Sequence, residues 1–156
     1  MNALEEEIKG ALDALCRKLN RGKVSNYSAS IGLFSSKEVN DEMTDEAMID
    51  TVLGPTTKPD YFQECGLEHM LLGIRNCIDW KGDEAVYPNR KYHATADYSE
   101  DVEAVFLKLG NLFEDASGIK SFEIAEGHPF YPVFWEFAYL IKVPEKAYAL
   151  VGSCSD

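Results

Sequence analysis

The run Val133-Phe134-Trp135-Glu136-Phe137-Ala138-Tyr139-Leu140-Ile141-Lys142-Val143, with Pro144-Glu145-Lys146 and Ala147-Tyr148-Ala149-Leu150-Val151-Gly152 after it, decides how the rest of the chain is read. Val133, Trp135, Phe137, Tyr139, Ile141 and Val143 recur at every second position, the period of a strand that buries one whole face. The alternate positions hold Phe134, Glu136, Ala138, Leu140 and Lys142, so the other face is also partly covered, as in an interior strand. Proline fixes one turn dihedral and cannot donate to a ladder, which makes 144–146 a tight connection. The residues 133–143 and 147–152 therefore predict a C-terminal hairpin closing an antiparallel sheet.

Upstream of the hairpin, helical and strand periods alternate. Leu4, Ile8, Leu12, Leu15 and Leu19 form one apolar stripe behind an Asn2 cap, with Glu5, Glu6 and Glu7 in the first turn and Arg17, Lys18 and Arg21 at the end, before Gly22. From Val24 to Phe34, Tyr27, Ala29, Ile31 and Leu33 alternate with polar or small residues, the pattern of a strand. Thr44 followed by Asp45 and Glu46 starts a helix that Gly54-Pro55 ends. Lys58-Pro59-Asp60 opens a further helix, read through Phe62, Leu67, Leu71, Ile74 and Ile78 to about Trp80, with Gly66 and Gly73 near one side, which implies close approach of a neighbouring element or, as the alternative, a break near Gly66. Lys81-Gly82-Asp83-Glu84 is a turn, and 91–97 a short strand within an aromatic stretch that includes Tyr87 and Pro88. Ser99 caps a helix with Val102, Val105, Phe106, Leu109, Leu112 and Phe113 on its apolar face, and Ile119, Phe122 and Ile124 suggest a strand. The expectation is an α+β fold: one domain over 1–156, an antiparallel sheet of about four or five strands, and helices mainly on one face.

Composition narrows the function classes. With 46% hydrophobic residues in 156, the chain can bury one core but not two. Twenty-seven acidic residues against 15 basic ones leave a net charge of −12, which repels phosphate backbones and anionic bilayers. Neither nucleic acid nor membrane is expected as a partner. No basic and apolar leader opens the chain, and no apolar run approaches the roughly 20 residues of a membrane span, so the expected location is cytoplasmic. Cys16, Cys65, Cys77 and Cys154 show no paired spacing, in keeping with reduced and mostly buried thiols.

Three clusters carry candidate chemistry. Glu38, Asp41, Glu42, Asp45, Glu46 and Asp50 lie within 38–50 with no basic residue among them, and suit a surface that meets a basic protein. His128, between Gly127 and Pro129 with Phe130 and Tyr131 nearby, has the chemistry of a general base, with Glu126 or Asp97 to orient it. Glu64, Glu68 and His69 put two carboxylates four apart beside an imidazole, although the spacing is neither Glu-x-x-His nor His-Glu-x-x-His. No G-x-S-x-G, phosphate-cradling glycine loop or calcium-loop pattern appears, and no metal or cofactor is expected. The leading expectation is a small non-enzymatic protein that masks a basic partner, as an inhibitor or immunity-type protein does. The alternatives are an enzyme or ligand-binding domain centred on His128, and an interaction or structural protein whose acidity serves solubility alone.

Overall fold

A computed structural model describes residues 2–21, 27–81 and 90–155, with Arg90 described in its backbone alone. In it, five strands form one antiparallel sheet in the order β1-β5-β4-β3-β2. They are β1 (Ser28–Ser36), β2 (Lys58–Cys65), β3 (Gly118–Glu126), β4 (Trp135–Val143) and β5 (Lys146–Ser155). The helices are α1 (Ala3–Leu19), α2 (Asp45–Leu53), α3 (Leu67–Ile78), α4 (Arg90–His93) and α5 (Ala96–Phe113). The α+β expectation holds, hairpin included.

The alternation in 133–143 divides the core. Phe137, Tyr139 and Ile141 of β4, with Tyr148, Leu150 and Cys154 of β5, pack under α1, α3 and α5. Ala138, Leu140, Ala147, Ala149 and Val151 face the other way and meet Met48 and Ile49 of α2. The alanines on that face leave room for a helix to approach closely. Val143 pairs with Lys146, so Pro144-Glu145 is a two-residue turn, with Glu145 at a φ of 64°. The expected strand starts late: the Val133 and Phe134 N–H groups both donate to the Cys154 carbonyl, and Val133 stays 48% exposed.

Two further expectations are corrected. Residues 58–65 are an edge strand, not the start of a helix, because Phe62 faces the sheet and stacks on Phe122 of β3 at 5.3 Å. The five-residue step from Phe62 to Leu67 breaks the helical period, and Gly66 caps α3 instead. Gly73 permits the close approach that a side chain would forbid, since a Cβ there would meet the Tyr139 hydroxyl. The short strand over 91–97 is absent: α4 ends at His93, and the Thr95 hydroxyl accepts the Tyr98 N–H to start α5 four residues before Ser99. The earlier start adds buried Tyr98 to the stripe of Val102, Val105 and Leu109. Gly22, residues 24–26, Gly82-Asp83-Glu84, Tyr87 and Pro88 lie outside the described residues. No helix among the described residues is long and apolar enough to cross a membrane.

Candidate functional site

Short polar side chains shape the acidic segment. Ser36 Oγ accepts the Glu38 N–H at 3.0 Å, Asn40 Oδ1 accepts that of Glu42 at 2.9 Å, and Thr44 Oγ1 accepts that of Ala47 at 3.1 Å to cap α2. Because Met48 and Ile49 must face the sheet, the helical period turns Glu46 and Asp50 to solvent. Glu38, Asp41 and Glu42 are exposed on the preceding loop. Among the described residues, none of these five carboxylates makes an ion pair.

Asp45 behaves differently. Its carboxylate is only 17% exposed and meets Lys120 Nζ of β3 at 2.7 Å and Lys142 Nζ of β4 at 3.3 Å. Burial would raise its pKa, but the bonds and charges of the two lysines outweigh burial and hold it below the usual carboxylate value. Asp45 therefore pins α2 to the sheet, and its charge is already neutralised. Beside it, Val39, Asp41, Met48, Lys142 and Glu145 border a cavity of about 230 Å³ between the acidic loop and the β4–β5 turn. Glu46 and Asp50 border a second cleft, of about 400 Å³, against Thr57, Lys58 and Pro59.

His128 sits in the connection from β3 to β4. Its Nδ1 accepts the Phe130 N–H at 2.9 Å, and its buried Nε2 has no hydrogen-bond partner among the described residues. Burial holds the imidazole below its ordinary pKa, against the opposing influence of Glu136 and of the Phe130 main chain. Neither expected orienting carboxylate bonds to it. Glu126 is exposed at the end of β3, paired in register with Lys58, and Asp97 lies in the first turn of α5 beside Lys91 and Thr95. The carboxylate that the ring does feel, Glu136, comes from the polar alternation of β4.

The structure separates the third cluster. Glu64 is exposed on edge strand β2, whereas Glu68 and His69 are exposed in the first turn of α3, so the two glutamates do not share a helix face. Among the described residues, no three His, Cys, Asp or Glu side chains gather as metal ligands would. None of the four cysteines forms a disulfide among the described residues. Burial pushes the Cys16 thiol up to about 12 and that of Cys77 to about 11, far from the range of a reactive thiolate. Cys154 is fully buried on β5, which lies between β1 and β4.

Sequence reasoning missed the two lysines that claim Asp45, although Lys142 at an alternate position of β4 was a usable signal. It also missed Tyr61, 72% exposed at a φ of 53° on the bulge of β2. The chain matches no protein-family model, and no curated protein or solved structure resembles it significantly.

Proposed function

We propose that this chain is a small binding protein that masks a basic protein partner with the acidic face formed by the 38–44 loop and α2. One observation carries the reading: Glu38, Asp41, Glu42, Glu46 and Asp50 are exposed without an ion pair among the described residues, while Asp45 beside them is neutralised from within. Unpaired carboxylates of one sign raise the local potential and speed the encounter with a cationic surface. The two clefts that adjoin the acids give a partner's long basic side chains somewhere to lie. An inhibitor or immunity-type protein works in this way, and four cysteines that form no disulfide suit the reducing cytoplasm.

The test begins with affinity capture from the native host at low salt, elution with salt and identification of what is released. Association of that protein is then measured by stopped flow for wild type and for the quadruple variant Asp41→Asn, Glu42→Gln, Glu46→Gln and Asp50→Asn. Asp45 is left in place because it holds α2. The variant should associate at least about tenfold more slowly at low salt, with a flatter salt dependence. Equal rates would remove this face from the interface. If no basic protein is captured, acidity for solubility replaces this reading.

A further inference from the structure

The 127–134 connection is tied down at several points, and one of them depends on the protonation state of a single ring. Thr57 Oγ1 donates to the Gly127 carbonyl at 2.7 Å, and the Val133 and Phe134 N–H groups donate to Cys154 at the other end. Between these anchors, Phe130 lies over β1. Its ring is 6.5 Å from that of Phe34, and a Cβ placed on Gly32 would come within 3.1 Å of it. Phe130 also forms one wall of a groove of about 460 Å³ that runs round the outer edge of β1 to Asp13, Cys16, Arg17 and Asn20 of α1.

The bond that holds this arrangement is the Phe130 N–H donated to His128 Nδ1. A nitrogen that accepts carries no proton, so the neutral ring keeps its proton on Nε2. A doubly protonated ring would face the Phe130 N–H donor to donor. It would also place charge at a buried Nε2 that has no acceptor among the described residues. The groups around the ring come from different elements. Glu136 of β4 and the Phe130 main chain favour the charged form, Thr57 before β2 is uncharged, and the Phe130 ring 6.1 Å away is apolar. Burial outweighs both and keeps the ring neutral at neutral pH.

We propose that His128 is a pH-sensitive latch: protonation of its imidazole releases Phe130 from β1 and opens the groove between β1 and α1. The latch is closed above the ring's ordinary pKa of about 6.5 and opens as pH falls below it, because the closed loop prefers the neutral ring. This is independent of any acidic-face partner.

The test uses the full chain labelled with ¹⁵N. Long-range proton–nitrogen spectra at pH 7.5 should show the Nε2–H tautomer of His128, and its titration midpoint should fall below 6.5. Hydrogen exchange of the Phe130 amide, corrected for the intrinsic rate, should lose at least tenfold in protection between pH 7.5 and pH 5, while Leu150 in the centre of β5 keeps its own. The variant His128→Asn retains a side-chain acceptor but does not titrate, and should hold Phe130 protection at both pH values. The proposal is overturned by an Nδ1–H tautomer, by Phe130 protection that does not change across the titration, or by parallel loss in His128→Asn. Loss at Leu150 in step with Phe130 would mean global unfolding and not a latch, and would overturn it as well.

Discussion

Glu5 and Lys146 lie 141 residues apart and meet at 2.9 Å, joining the first turn of α1 to the first residue of β5. Glu5 is fully buried, and its second oxygen accepts the Ser35 hydroxyl of β1 at 2.7 Å. One carboxylate thus links both ends of the chain to an edge strand. The sequence assigns Glu5 to the helix dipole with Glu6 and Glu7; only the fold turns it inward.

Lys146→Met should cost about 3–5 kcal/mol, because it leaves a fully buried carboxylate without its counter-charge. Glu5→Gln should cost less, about 1–3 kcal/mol, since Lys146 can still reach water. The double variant should fall well short of the sum. Urea melts of the three variants check this. Burial by itself would raise the Glu5 pKa, but its bonds to Lys146 and Ser35 outweigh that and hold it below the ordinary glutamate value. Its contribution is therefore full above that value and is lost as pH falls through the lower folded one. The acid limb of stability should be flatter in Glu5→Gln.

Asp45 should separate from its acidic neighbours in the same experiment. Asp45→Asn removes the carboxylate that two lysines share and should cost about 1–2 kcal/mol, more than an exposed pair is worth. Replacing Asp41, Glu42, Glu46 or Asp50 singly by the amide should change stability by less than about 0.5 kcal/mol. Equal effects at all five positions would deny Asp45 its structural role.

Trp135→Ala should cost about 3 kcal/mol, because the indole stacks on Phe137 at 6.0 Å and lies 6.4 Å from Tyr27 at one end of the main core. Val133→Ala, two residues earlier on the same alternation, should cost less than about 0.5 kcal/mol because that side chain is half exposed. Comparable losses at both would extend β4 back to Val133.

Glu145→Gly should stabilise the β4–β5 turn. A non-glycine residue in the left-handed region costs about 1–2 kcal/mol, and glycine removes that cost while returning about 0.5–1 kcal/mol of chain entropy to the unfolded state. A net gain of up to about 1 kcal/mol in thermal or urea melts is expected. A loss would mean that the Glu145 side chain makes a contribution which its position beside the cavity near Met48 does not suggest.

The hairpin was legible because two signals agreed over its length: strict alternation in 133–143 and a proline at the turn. The stripes of α1 and α5 were legible for the same reason, each repeating over three or more turns. The 58–65 segment was not, since eight residues with one inward aromatic carry too little period to outweigh the helix that follows, and its strand character comes from pairing with β3. The helix start at Thr95 was hidden because threonine is both a cap and a strand former, and burial of Tyr98 decided between them.

The sequence by itself determined the α+β class, the central hairpin with both faces covered, and a segment of six acids, because side-chain period and local charge are properties of neighbours along the chain. Tertiary structure decided which of those acids is neutralised, that Glu64 and Glu68 stand on different elements, and that His128 answers to Phe130 and Glu136 in place of Glu126 or Asp97. Those outcomes depend on residues distant in sequence arriving within hydrogen-bond or Coulomb range, and the pairing of strands brings them there.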